Sequence, residues 1–168
     1  SPNSFGRTYG EHRAFLELSD EQHYEVYKFA KEKGLDFVET LCAPSCLSIM
    51  KYFTPDFLKI ASRDLTNIPL LEALAETKIP IILSTGMSTI EEIEHAVGIL
   101  GKENLVIYHC TSTYPSNADE TNLRVIPDFK KRFNCPIGYY SPSEGSGCLK
   151  CPYGSISITK GSTSCQLC

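Results

Sequence analysis

Short, nearly continuous apolar runs alternate with amphipathic ones along the first 134 residues. The runs "LDFVET" (35–40), "DFLKIAS" (56–62), "IPIILST" (79–85) and "NLVIYHC" (104–110) predict strands, and "CPIGY" (135–139) predicts a fifth. None alternates strictly, as expected where both faces of a sheet are covered. Between them lie helical patterns. "SDEQHYEVYKFAKEKG" (19–34) opens on the capping pair Ser19 and Gln22, carries Tyr24, Tyr27 and Ala30 on one stripe, and closes on Gly34. Residues 44–52 predict a second helix, and "IPLLEALAET" (68–77) a third with Pro69 in its first turn. "STIEEIEHAVGIL" (88–100) predicts a fourth, with Ser88 and Glu91 as capping box and Ile90, Ile93, Val97 and Leu100 on one face. "TNLRVIPDFKKRF" (121–133) reads as mostly helical, with Pro127 as a candidate break.

Five strands at intervals of about 20–30 residues, each followed by a helix, argue for an α/β fold of parallel βα units. A doubly wound sheet and a (β/α)₈ barrel both fit. A complete barrel takes ~250 residues, so these 168 residues can supply only part of one. The chain begins with Ser1 and has no apolar leader-like stretch, which suggests a fragment or a processed chain.

Composition changes the picture mainly near the end. Overall, 42% hydrophobic and 21% charged residues are globular values. A net charge of −4 gives no electrostatic case for nucleic acid, and no basic block or long apolar run points to a membrane. Cys42, Cys46 and Cys110 are scattered, whereas Cys135, Cys148, Cys151, Cys165 and Cys168 crowd a segment dominated by Gly, Ser and Pro. The expected boundary therefore falls at 134, dividing an α/β unit (1–134) from a small irregular cysteine-rich tail (135–168).

In such folds ligands bind at the carboxyl ends of the strands. Those ends hold Thr40; Lys59 and Ser62; Ser84, Thr85 and Gly86; and His109, Thr111, Ser112 and Tyr114. One ammonium, several hydroxyls and backbone amides suit a small anion. The hydroxyls could equally cap the helices that follow. Lys59 sits among apolar neighbours in "FLKIAS", so its ammonium must reach solvent or meet an anion at the strand mouth. His109 has no second histidine near it in sequence, which favours a core role over a ligand or a base. His12, His23 and His95 fall on polar or helical surfaces without metal spacing.

The segments "GRTYGEHRAFLELSDEQ", "FLKIASRDLTNIPLLE", "IPIILSTGMSTIEEIEHAV", "HCTSTYPSNADETNLRVIPDFKKRF" and "CPIGY" closely resemble the N-acetylneuraminate (sialic acid) synthases, in order from about residue 5 to residue 139. The resemblance implies a partial TIM (β/α)₈ barrel, holding the third through seventh strands. It also implies a transferase activity in carbohydrate biosynthesis: condensation of phosphoenolpyruvate with an N-acylmannosamine (N-acetylmannosamine or its 6-phosphate) to a nine-carbon 2-keto sugar acid, with a divalent metal, Mn or Mg. Carried over residue by residue, Thr40, Lys59, Ser62 and Ser112 would hold phosphoenolpyruvate, and Tyr114 would face the sugar. Departures accompany the matches. The family's catalytic Glu would precede Ser1, no metal-ligating His follows "IGY", and Arg63 stands where the family usually has Gly and could obstruct the site. The chain alone is therefore expected to bind no metal and to be inactive, and its open sheet edges suggest a homo-oligomer.

From Cys135 onward, "CPIGYYSPSEGSGCLKCPYG" resembles the ephrin-receptor-like, or GCC-type, cysteine-rich repeats. That resemblance makes Cys135, Cys148, Cys151 and Cys165 disulfide candidates. A zinc reading competes, because Cys148, Cys151, Cys165 and Cys168 form C-x2-C-x13-C-x2-C. The barrel part implies a cytoplasmic protein; a dominant tail would imply an extracellular one. The alternative function is a non-enzymatic secreted or surface fragment that binds a protein partner through its repeats.

Overall fold

A computed structural model describes residues 4–133 and four two-residue strands, 139–140, 149–150, 155–156 and 166–167. The order is α1 (Tyr9–Leu16), α2 (Asp20–Glu32), β1 (Val38–Thr40), a 3-10 helix (Pro44–Lys51), β2 (Phe57–Ile60), α3 (Ile68–Glu76), β3 (Ile81–Ser84), α4 (Ile90–Leu100), β4 (Leu105–Tyr108) and α5 (Val125–Phe133). β1 to β4 form one parallel sheet in chain order. Beyond them, β5 (Tyr139–Tyr140) pairs antiparallel with β6 (Leu149–Lys150), and β7 (Ser155–Ile156) with β8 (Gln166–Leu167). The expected fifth strand lies mostly outside the described residues, and its last residue, Tyr139, joins an antiparallel pair instead of the parallel sheet. The disulfide candidates Cys135, Cys148, Cys151 and Cys165 also lie outside them.

Register decides which side chains share a face. Leu58, Ile81 and Leu105 are partners across β2, β3 and β4, as are Ile60, Leu83 and Ile107. This face packs under Leu70, Leu71 and Leu74 of α3 and Ile93, Ala96 and Val97 of α4, which together form the core. The alternate positions, among them Thr40, Lys59, Ile82, Ser84 and Tyr108, occupy the other face.

The helix starts follow their capping chemistry, with one shift. Ser19 and Gln22 form the expected box, and Gly34 takes a left-handed φ of 71° just past α2. At α4 the box is Thr89 with Glu92, one residue later than the Ser88–Glu91 pair. Ser88 instead turns its hydroxyl to the Gly86 carbonyl, 3.4 Å away, and the first turn winds from Thr89. Pro127 does not break α5. It is the third helical residue, where the backbone N–H would have no partner inside the helix. Residues 44–51 wind as a 3-10 helix, and α1, with Thr8 and Glu11 as its box, was not anticipated.

α2 is held over the sheet by aromatic and ionic contacts. Tyr27 stacks on Phe53 at 4.4 Å and meets Phe37 edge-on at 5.6 Å. Lys31 Nζ donates to both oxygens of Asp56 at 2.8 and 2.7 Å, and the Phe37 N–H donates to Asp56 Oδ2 at 2.7 Å. Burial pushes the Asp56 carboxyl up, but the Lys31 ammonium and the Phe37 N–H outweigh it and leave the pKa lowered. Ionised Asp56 therefore stabilises the fold above about pH 4, and that contribution fades as pH falls through the lower folded value. Asp56→Asn should cost about 1 kcal/mol at neutral pH and flatten the acid limb of a stability-versus-pH curve measured by urea unfolding. Leu74→Ala, in the dry core, should cost about 2–5 kcal/mol in the same measurement and leave the acid limb unchanged.

Candidate functional site

Because β1 to β4 all run the same way, their carboxyl ends lie at one end of the sheet. Thr40, the last residue of β1, is the register partner of Lys59 on β2, so adjacent strands about 4.8 Å apart present both side chains on one face. Lys59 is half-buried and forms no ion pair with any carboxylate of the described residues. A half-buried ammonium without a counter-charge is a standing attraction for an anion.

Gly86, just past β3, ties two more of the expected residues together. Its N–H donates to Ser62 Oγ at 3.0 Å. A Cβ placed on this buried glycine would meet Ser62 Oγ at 3.0 Å and run into Ser112 Oγ. The two serine hydroxyls, 50 positions apart in sequence, thus converge on one glycine, Ser62 on its amide and Ser112 on the place a Cβ would occupy. With a lone pair of Ser62 Oγ already engaged by that N–H, its own proton is left to donate elsewhere. Thr40, Lys59, Ser62 and Ser112 all occupy the strand-end side of the sheet. Tyr114 does not join them in contact: its side chain is 95% exposed, beside the cis bond to Pro115.

Several strand-end hydroxyls have the structural role weighed against ligand binding. Thr85 Oγ1 donates to the Tyr108 carbonyl at 2.8 Å, stitching β3 to β4, and Ser88 bonds the Gly86 carbonyl. His109 is also structural. Its Nε2–H donates to the Thr121 carbonyl at 2.7 Å, and its ring meets Phe129 edge-on at 6.3 Å. Arg63 holds its guanidinium on Cys42 Sγ at 3.0 Å and on Asp64 at 3.3 Å, toward the loop after β1.

His23 differs from expectation. It is no surface histidine: its Nδ1 lies 3.0 Å from Glu39 Oε2, and Glu39, in the middle of β1, is buried. Both border a cavity of about 260 Å³ at the amino end of α2, with Asp20, Cys46 and Ser48. The contact joins residues 16 apart across two elements, and no local pattern marks it. Gly86 was legible only as one of several strand-end residues; its close approach to two serines is a tertiary fact.

The resemblance to synthases that use Mn or Mg calls for a ligand set, and the described residues do not provide one. No group of three or more His, Cys, Asp or Glu among them is placed to hold a metal ion. No described helix is long and apolar enough to cross a membrane.

A sequence model of the NeuB family matches residues 2–150, running past the expected boundary at 134. N-acetylneuraminate-9-phosphate synthase of Drosophila melanogaster is 35% identical over 143 residues, which cover 83% of this chain and 38% of the fly protein. The protein of that name from Homo sapiens is 33% identical over 148 residues, 86% of this chain and 41% of its own. A crystal structure of N-acetylneuraminic acid (sialic acid) synthetase from Leptospira borgpetersenii, in complex with citrate, superposes with a TM-score of 0.68 at 35% identity. It covers 74% of this chain and 44% of that one. The chain thus spans about two-fifths of the length of these relatives. The parallel order of β1 to β4 and a match over most of its length agree: the chain belongs to the NeuB family.

Proposed function

We propose that this chain supplies the phosphoenolpyruvate-binding part of a sialic acid synthase-type enzyme. Such an enzyme joins phosphoenolpyruvate to N-acetylmannosamine, or to its 6-phosphate, and gives a nine-carbon 2-keto sugar acid. The observation that carries the reading is the convergence of Ser62 and Ser112 on Gly86, on the strand-end side where Lys59, with no carboxylate partner among the described residues, stands beside Thr40. In it, the Lys59 ammonium offsets the charge of the phosphate or carboxylate. Thr40, Ser62 and Ser112 donate to its oxygens and fix its orientation, and Tyr114 faces the sugar. Across the whole reaction, the enol carbon bonds to the sugar aldehyde carbon, water adds at the carbon bearing the phosphate, and phosphate leaves. A divalent metal would polarise the aldehyde; the described residues do not form its site, and no step here is assigned to it. For the tail, the resemblance to cysteine-rich repeats implies disulfides, and mass spectrometry of the non-reduced and reduced chain tests them.

Titration calorimetry with phosphoenolpyruvate tests the reading. Binding is expected, and Lys59→Met should weaken it at least ~10-fold, as losing one charge-assisted hydrogen bond predicts. Unchanged affinity would contradict the assignment. Gly86→Ala should also weaken binding, because Ser112 must rotate away from the new methyl, while the melting temperature stays near that of the parent chain. With N-acetylmannosamine and manganese added, no phosphate release above background is expected from this chain; robust turnover would overturn that part of the proposal.

A further inference from the structure

A second cation stands just past the strand ends. In the segments that directly follow β1 to β4 (41–43, 61–64, 85–89 and 109–116), Arg63 is the one lysine or arginine. Exposure alternates from Val38 to Cys42: Glu39 and Leu41 are buried, whereas Val38, Thr40 and Cys42 are exposed. Cys42 therefore continues the face of Thr40, which is also the face of Lys59, the register partner of Thr40. Arg63 lies in the short 3-10 turn after β2 (Ser62–Asp64) and reaches across to that face, where its Nη2 donates to Cys42 Sγ at 3.0 Å. Its Nε donates to Asp64 Oδ2 at 3.3 Å. Two of the five guanidinium N–H groups are thus engaged, one of them on a sulfur, which is a weak acceptor. The other three have no acceptor among the described residues. The side chain is 67% exposed, so it can pivot without disturbing the core.

We propose that Arg63 binds phosphoenolpyruvate as the second cation of the site, taking one of the ligand's two acid groups while Lys59 takes the other. Charge calls for two cations. A phosphate ester carries about 1.5–2 negative charges at neutral pH, and the carboxylate adds another. A lone ammonium would leave most of that charge uncompensated, in a chain whose own net charge is −4. Shape favours an arginine. Its planar fork matches two oxygens of a carboxylate or phosphate at once, a bidentate pair that a thiol sulfur cannot offer. Bound ligand therefore draws the guanidinium off Cys42. The inference rests on the phosphoenolpyruvate reading above and adds a ligand contact at a position where a glycine, the residue usual in the family, has no side chain to make one.

Titration calorimetry of the full chain with phosphoenolpyruvate tests it, with circular dichroism to check that each variant stays folded. Arg63→Gly should weaken binding at least ~10-fold, as losing a charge-assisted contact predicts. Arg63→Lys, which keeps the charge but not the fork, should recover part of the loss. An obstructing Arg63 predicts the reverse, tighter binding by Arg63→Gly. Phenylglyoxal modification of arginines, mapped by peptide mass spectrometry, gives a readout that a merely structural role would not move. Saturating phosphoenolpyruvate should shield Arg63, whereas Arg13 on α1, 55% exposed, should react equally with and without it. The inference alone is overturned if the parent chain binds and Lys59→Met weakens binding, yet Arg63→Gly binds as well or better. An Arg63 left unshielded at saturation overturns it too. A parent chain that binds no phosphoenolpyruvate overturns this inference together with the reading beneath it.

Discussion

In-register parallel pairing of β1, β2, β3 and β4 is the constraint on which everything else rests. Parallel strands share a direction, so the residues that follow them are gathered at one end regardless of their distance in sequence. Pairing also sets parity. Once Leu58 and Ile60 are drawn into the core with Leu83, Lys59 between them must face the other side. A slip of one residue in β2 would bury the ammonium under α3 and α4 and expose Leu58 and Ile60. The core that stabilises the sheet and the lysine that gives it chemistry are therefore consequences of one register.

The second constraint is close approach. Gly86 is where the backbone just past β3 comes close to the segments after β2 and β4: its amide holds Ser62 Oγ, and Ser112 Oγ sits where a side chain on Gly86 would go. Any side chain there would push them apart. What distinguishes Ser62 from Thr85 and Ser88 is its partner: Ser62 accepts from the Gly86 N–H and keeps its proton free to donate, whereas Thr85 and Ser88 spend their protons on carbonyls. The same strand ends thus carry both structural and candidate functional hydroxyls, separated by what each one bonds.

Much of this was legible in the residues alone. Apolar runs of strand length between capped amphipathic segments located β1 to β4 and α2 to α5, because local propensity and burial agree there. Ser62 and Ser112 stand out in the sequence by their places at strand ends and by family resemblance, and the structure sets both against Gly86. The misses have physical reasons. Ser88 and Thr89 are both competent caps, and only the turn after Gly86 decides between them. Pro127 is tolerated because it falls in the first turn. The His23–Glu39 pair joins elements through packing, and a histidine on a polar helix face carries no sign of the carboxylate it will meet. Tyr139 followed an apolar run that reads as strand, yet its pairing is antiparallel and local.

The central claim is that an anion sits at the carboxyl ends of the strands, between Lys59 and the Gly86 amide. Amide chemical shifts of the isotope-labelled chain, followed while phosphoenolpyruvate is added, test it most directly. Saturable movement at Ser62, Gly86 and Ser112, with Gly101 and Asn104 at the opposite end of the sheet unmoved, is the predicted result. Movement confined to that opposite end, or none at any concentration, would contradict it.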